Sequence, residues 1–526
     1  MAILFNLLFD PVVRAVLKDD RETSLALPEI FVALCADAVE SFMALRPHQR
    51  HAWHALLCQL GALACIRADL AQPPADADGW RAALKGLTPD FPDDEPWRLV
   101  SPPGKPAFLQ APISNGTLAG LNTIWETPDR LDMLIIARNH DVKVRRMFRN
   151  QIDDWLFALV TRQTMDGGSA AGQTDRYFPI SRMNSESGNR PGFSIAPPGG
   201  VGAHVRRDLQ RLIDLREKMP DVFDEDGLAL VWLKPWDGAT SLKSDQLDPY
   251  YIEICRRVRL VAEQGRIHAR AAGSKAARIA FGKEAKGLTG DPWTPIETSD
   301  GEAKALTIDS RGFSYRRMSD ILFGRGFAPA PLQVVFSGDD TGGAATLVAR
   351  ALARGQGKTE GLHERRILAT RKIVKLLADG QTGESEIPAK RRVNQADLVG
   401  KALWVGLMML FQNGPDELKL GDRNSKNHAK PFLDRFEAEI DRDFFEALFA
   451  EVEAEGEAAK RETCAAWLTE LRRRAFDLLK AAETGSPVSS IRRHRAWVRA
   501  ESAFQNSFFK SFRDPYFPKD ERHDAA

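Results

Sequence analysis

The spacing of apolar and polar positions divides the chain into a mixed N-terminal part and a helical C-terminal part. A short apolar run over residues 4–9 is stopped by Asp10-Pro11 and resumes at Val12-Val13. Residues 28–45 predict a helix, and residues 47–70 a second one, with Pro47 in its first turn and Trp53, Leu56, Leu57, Leu60 and Leu63 at helical spacing. A Pro/Asp/Gly-rich stretch at 72–79 ends it. The text to about residue 200 is mixed, with loop-forming runs at 101–105 and 166–172, the kind of segment that often carries function. Strand-like segments predominate over 228–336, and residues 256–262 and 266–271 predict a hairpin around Glu263-Gln264-Gly265. Beyond Leu362 helical patterns cover 362–378, 395–412, 431–455, 458–482 and 490–512. Breaks fall at 380–383, 413–415 and 484–487, and Ser489 or Ser490 can cap the last helix. The expected fold class is α+β. A large mixed N-terminal domain of short sheets and helices (1–361) precedes a C-terminal antiparallel four-helix bundle (362–526).

Composition narrows the classes. The 526 residues exceed the usual size of one hydrophobic core, which fits about two to four structural units. No basic segment precedes the first apolar run, and the longest later one, 404–411, is far too short to cross a bilayer. A cytoplasmic location without membrane contact is expected. Cys35, Cys58, Cys65, Cys255 and Cys464 include no CxxC pair, so neither a zinc ribbon nor a disulfide framework is expected, and no metal or cofactor is implied. The 73 basic and 72 acidic residues leave a net charge of +1, so any nucleic-acid contact must come from local clustering.

Candidate chemistry is local. His48, His51 and His54 sweep around one helix with no carboxylate or cysteine close by in sequence to complete a metal site, and a structural or solvated role is expected. Gly355-Gln356-Gly357-Lys358-Thr359 imitates a phosphate-binding loop, but Leu352 stands where that motif needs glycine. It reads instead as a glycine-flanked hairpin tip that projects Gln356, with Arg354 and Lys358 placed for phosphate contacts; a plain surface turn is the alternative. Between Cys255 and Gly290 stand nine basic residues (Arg256, Arg257, Arg259, Arg266, Arg270, Lys275, Arg278, Lys283, Lys286) against Glu263 and Glu284. Such a patch suits DNA phosphates, Arg256, Arg257 and Arg259 above all, unless it is only a solvated strand face. Further basic stretches occupy 138–149 and Ser181-Arg182-Met183-Asn184 with Arg190. No nucleophile elbow, HExxH or metal-hydrolase acidic pair occurs, so no catalytic residue is assigned.

An ordered set of short motifs resembles the CasA family, the large subunit of the type I-E CRISPR Cascade complex. They are Phe5-Asn6-Leu7-Leu8 with Asp10-Pro11, Pro106-Ala107-Phe108-Leu109-Gln110, Asn139-His140-Asp141 with Lys143, and Ser181-Arg182-Met183-Asn184. The set continues through Trp232-Leu233-Lys234-Pro235-Trp236, Gly290-Asp291-Pro292-Trp293-Thr294-Pro295, and GQGKTEG before His363-Glu364-Arg365-Arg366. The resemblance implies a non-enzymatic protein that reads the protospacer-adjacent motif in double-stranded target DNA, promotes strand opening and R-loop formation, and recruits a helicase-nuclease. Its partners would be the other Cascade subunits and CRISPR RNA. By position Gln356 resembles the wedge glutamine, and Asp166-Gly167-Gly168-Ser169 the glycine loop that approaches the motif. Lys286 and Lys283 both suit the lysine of the same groove. Asn139, His140 and Lys143 resemble the loop that meets the RNA handle or neighbouring subunits. Some family members carry paired CxxC zinc ligands where Cys255 here stands alone. A metal-dependent nuclease and a purely structural scaffold are the rival classes.

Overall fold

The computed structural model describes residues 5–133, 150–171, 175–185, 188–216, 223–281, 285–299, 301–324, 326–334, 342–355, 358–379, 383–485 and 490–512. It is an α+β structure of two compact units, one formed by Met1–Phe313 with Arg325–Val374, the other by Ser314–Gly324 with Lys375–Ala526.

The first unit opens with β1 (Val13–Leu17), β2 (Glu22–Leu25), α1 (Leu27–Cys35) and β3 (Val39–Phe42), the strands ordered β2-β1-β3. The helix expected over 28–45 therefore stops early. Asp37 takes a left-handed backbone (φ 51°), and Val39–Phe42 then pairs with β1. Next come α2 (Arg50–Arg67) and α3 (Ala77–Gly86). Every residue from His51 to Cys65 is buried, so α2 is enclosed on all sides and forms the axis of the core, with His54 and Gln59 hydrogen-bonded inside it. There follow β4 (Thr123–Trp125), α4 (Ile152–Met165), β5 (Ser169–Ala171), β6 (Asp175–Tyr177), β7 (Gly192–Ala196) and α5 (Val201–Leu215). The Asp37 carboxylate accepts from the backbone N–H groups of Gly200 (3.1 Å) and Ala203 (2.9 Å), capping α5.

Strands β8 (Leu228–Leu230) and β9 (Leu247–Ile252) pair in parallel. The expected hairpin is present as β10 (Arg257–Glu263) and β11 (Arg266–Ala272), closed by Gln264 (φ 51°) and Gly265 (φ 75°), the double positive φ of a type I′ turn. Three two-residue strands, β12 (Ile296–Glu297), β13 (Lys304–Ala305) and β14 (Phe327–Ala328), make one sheet, the last two flanking α6 (Tyr315–Phe323) in sequence. A long hairpin, β15 (Ala345–Gly355) and β16 (Lys358–Ala369), pairs with β7 in the order β16-β15-β7. The helix expected over 362–378 is thus a strand to Ala369, with only α7 (Arg371–Ala378) helical: Leu362 and Ile367 pair with Leu352 and Leu347 across the ladder. Leu362, where the sequence suggests a domain change, lies inside this strand.

In the second unit α6 is joined by α8 (Gly383–Phe411), α9 (Arg423–Glu453), α10 (Gly456–Thr484) and α11 (Ser490–Ser511). These long helices pack on one another, α8 against α9, α10 and α11, and α9 against α10. Phe436, Ile440, Phe444, Leu448, Leu471 and Phe504 fill their core. Helix α9 begins eight residues before Pro431, the expected start, because the Asp422 carboxylate caps it by accepting from Ser425 N (2.8 Å). No helix among the described residues is long and apolar enough to cross a membrane.

Candidate nucleic-acid interface

The hairpin tip is set by the β15–β16 ladder, which runs to the Arg354↔Thr359 and Gly355↔Lys358 pairs with a bulge between Ala353 and Arg354. Gln356 itself lies outside the described residues, as do Asn139, His140, Lys143 and Lys283.

The glycine loop leaves the end of α4 and is held from below. Asp166 is fully buried; its carboxylate accepts from Arg256 Nε (2.8 Å) and Nη2 and is ion-paired with Arg162 Nε (3.1 Å). Arg256 Nη2 also donates to the Gly167 carbonyl (3.2 Å), and its guanidinium lies over the Tyr177 ring (4.1 Å). A Cβ built on Gly168 would stand 2.8 Å from the Tyr177 carbonyl oxygen and from Pro179 Cδ, a gap only glycine fits. The backbone of Ser169 pairs with Tyr177 across β5–β6.

Lys286 sits at a turn whose backbone is left-handed at both Lys286 (φ 43°) and Gly287 (φ 77°). Its ammonium is half-buried and paired with the exposed Glu302 carboxylate. The Lys286 carbonyl accepts from Ala305 N at 2.9 Å.

The expected phosphate patch is corrected by burial. Arg256 and Arg259 are each 2% exposed, and neither offers its charge to solvent. Arg256 serves the Asp166 loop. Arg259 caps a bend of the chain, Nη1 donating to the carbonyls of Lys105 (3.0 Å) and Gln110 (3.1 Å) and Nη2 to those of Ser101 (2.8 Å) and Pro102 (3.0 Å). Burial pulls the Arg259 pKa down to about 10. Arg278 is buried in the same manner against the carbonyls of Val231, Lys234 and Pro235. Arg257 is half-buried and donates to Gly273 O (3.2 Å). Arg266 and Lys275 are exposed, and Arg270 and Lys286 half-buried.

The three histidines are buried rather than solvated. His48 Nε2 meets both oxygens of Asp132 at 2.8 Å. His54, His204 and Asp208 are the one group among the described residues close enough to share a metal ion, within 4.8 Å of one another. Asp208 already balances its charge against Arg207 Nη1 (2.9 Å) and accepts from His54 Nε2 (2.8 Å) and Trp293 Nε1 (3.3 Å). His204 Nε2 meets Ser194 Oγ at 2.7 Å. Burial holds the His204 pKa well below its ordinary value, so the cluster is a charge-balanced polar joint between α2, α5 and β7 as it stands.

Sequence reasoning passed over Asp166 as a structural anchor, and also Gln163 and Glu253. Gln163 satisfies both ends of its amide, donating to Leu109 O (2.8 Å) and Arg256 O (3.1 Å) and accepting from Arg256 N (2.8 Å) and Cys255 N (3.2 Å). The available signal for Glu253 was a carboxylate inside the apolar run Tyr250-Tyr251-Ile252-Glu253-Ile254-Cys255. Cys255 is packed with Ile180 and Met183 in a separate small cluster, and burial pushes its thiol up to about 12.

Comparison with known proteins bears on this arrangement. The family model for CRISPR-associated protein Cse1 matches residues 6–478. A solved Cse1 from Acidimicrobium ferrooxidans is 15% identical with a TM-score of 0.68, covering 97% of this chain and 99% of that one. CasA (Cse1) of Thermus thermophilus is 17% identical with a TM-score of 0.66, covering 96% and 99% respectively. A chain of a CRISPR RNA-guided surveillance complex is 13% identical with a TM-score of 0.59, covering 96% of this chain and all of that one, 100%. At these identities the structures speak for a shared fold. Comparison with curated protein sequences returned no match.

Proposed function

The chain belongs to the CRISPR-associated Cse1 family, and from that premise we propose that it is the large subunit of a type I-E RNA-guided surveillance complex. In this reading it recognises the protospacer-adjacent motif in duplex DNA. The observation that carries it is the pairing of a glycine loop pressed against its own backbone at Gly168 with a turn that presents Lys286. A minor groove offers mainly acceptors plus the guanine amino donor, so a close-lying backbone and one lysine suit relaxed reading of a short motif. Strand opening then starts at the β15–β16 tip, where Gln356 acts as the wedge and Arg354 and Lys358 hold phosphates, and guide pairing extends the R-loop. The chain performs no catalytic step. The helical unit of α8 to α11 is the platform for protein partners, a neighbouring subunit and the helicase-nuclease, while residues 139–143 meet the RNA handle or a neighbouring subunit.

The test is duplex binding by the complex assembled with its guide, using targets that differ only in the adjacent motif. Motif-dependent affinity that falls with Lys286→Ala supports the reading. Equal affinity for every motif favours the scaffold, and chelator-sensitive cleavage of DNA by the purified chain with magnesium or manganese favours the nuclease.

A further inference from the structure

The glycine loop and the Lys286 turn are far apart in sequence but rest on one short segment, residues 177–184. At its start, the Tyr177 carbonyl and Pro179 close the space beside Gly168, and Ile180 N donates to the Asp166 carbonyl at 3.2 Å. At its end, a Cβ on Gly287 would stand 2.7 Å from Met183 C and 2.8 Å from Asn184 N, so the lysine turn lies directly on this backbone. Asn184 Nδ2 donates to the Ala305 carbonyl (2.8 Å), and Ala305 N donates in turn to the Lys286 carbonyl (2.9 Å).

The middle of the segment is pinned by one buried carboxylate. Ser181 N donates to both oxygens of Glu253 at 2.8 Å, and Ser181 Oγ donates to Oε2 at 2.9 Å. Glu253 is only 5% exposed, and a buried carboxylate is costly unless its bonds do specific work. The neighbouring Arg182 guanidinium stacks over Tyr251 at 4.0 Å and donates to the Tyr251 carbonyl (3.1 Å), fixing the next residue to the end of β9, two residues before Glu253. Ile180 and Met183 seal the underside against Cys255.

We propose that Glu253 is a positioning residue: through Ser181 it sets the register between the glycine loop and the Lys286 turn, so that both meet a DNA groove as one rigid element. This rests on the function proposed above. Glu253 touches no DNA. Its two oxygens accept from the Ser181 N–H and hydroxyl, and Tyr251 Oη, 2.6 Å from the same hydroxyl, completes the bonding of that residue. Loss of this register separates the backbone that approaches base edges from the cation that enters beside it.

The experiment uses the guide-loaded complex and reads the ratio of affinities for duplexes with and without a permissive motif. Glu253→Ala lowers that ratio about tenfold, the effect of losing three hydrogen bonds to one buried acceptor group, and Ser181→Ala lowers it by a smaller factor, about threefold. Glu253→Gln, which keeps an acceptor, restores part of the loss. In the Glu253→Ala/Lys286→Ala double variant the two losses do not multiply, because each disables the same element. If Glu253→Ala does not assemble, Ser181→Ala and Glu253→Gln decide the matter. Full discrimination in the Glu253 and Ser181 variants while Lys286→Ala abolishes it would overturn the positioning role alone, as would losses that multiply. Full discrimination in Lys286→Ala would overturn Lys286 as the groove cation, and full discrimination in the Lys283→Ala/Lys286→Ala double variant would overturn the motif-reading assignment itself.

Discussion

The guanidinium of Arg256 donates through Nε to the carboxylate of Asp166 at 2.8 Å, with both side chains removed from solvent. That pair fixes the start of the glycine loop and removes Arg256 from the set of phosphate contacts. Arg256→Ala should therefore cost about 2–3 kcal/mol of stability, with Arg162 still pairing the stranded carboxylate. A denaturant titration of the purified chain measures the loss. A phosphate role would instead leave stability intact and lower the salt dependence of DNA binding by about one ion.

Gly168 has no room for a side chain, since its Cβ would come within 2.8 Å of backbone and proline atoms. Gly168→Ala should push the loop away from Tyr177 and Pro179 and cut motif-dependent affinity about tenfold, roughly 1.4 kcal/mol. Competition binding between motif-bearing and motif-free duplexes reads this directly; unchanged preference would remove the loop from the recognition site.

Lys286 is held by Glu302, a pair with the acid largely exposed. Exposed pairs of this kind are worth well under about 1 kcal/mol, so DNA displaces the acid cheaply. Glu302→Gln should raise duplex affinity by about twofold to fivefold at low salt and by less at high salt. Titrations at two ionic strengths check it, and affinity insensitive to the change at low salt counts against Lys286 as the groove cation.

Gln356→Ala should slow R-loop formation on intact duplex more than on a target already melted beside the motif, because a wedge is needed only where bases must unstack. Arg354→Ala and Lys358→Ala should weaken both targets and reduce the salt slope by about one each. Stopped-flow R-loop rates on the two targets separate the roles; equal loss on both for Gln356→Ala would make it a binding residue.

Burial raises the Glu253 carboxyl from 4.5 to about 7, against the opposing pull of the Ser181 hydrogen bonds, Arg182 and Arg190. Tyr251 and Cys255 face the same carboxylate. Between those two values the folded chain binds more protons than the unfolded one. Stability is therefore greatest below the lower value and falls as pH rises through about 7, by at most roughly 1.4 kcal/mol per unit. Glu253→Gln should flatten that part of the stability profile, and a variant with the wild-type slope would show that another group titrates there.

Features that depend on residues a few positions apart were legible along the chain. The β10–β11 hairpin follows from Gln264-Gly265 between alternating strands. The long helices α9 to α11, and α8 from about residue 395, follow from sustained periodicity, interrupted where Asn413-Gly414 supplies two positive φ angles, whereas the start of α8 at Gly383 does not. The motif order likewise sufficed to place the chain near its family, since order survives when identity has fallen to 13–17%.

What lay beyond the sequence was the identity of distant partners. Residues 362–369 carry a pattern that a helix could use, and they become strand because β15 offers a complete ladder of backbone partners. The basic run after Cys255 reads as a surface patch, yet Arg259 spends its charge on carbonyls of residues 101–110 and Arg256 on Asp166. Charge along a chain is the same whether an arginine meets water or a buried acceptor. Only the fold decides, because desolvating a guanidinium is tolerable solely where fixed oxygens replace its water, and those oxygens come from segments the local sequence does not contain.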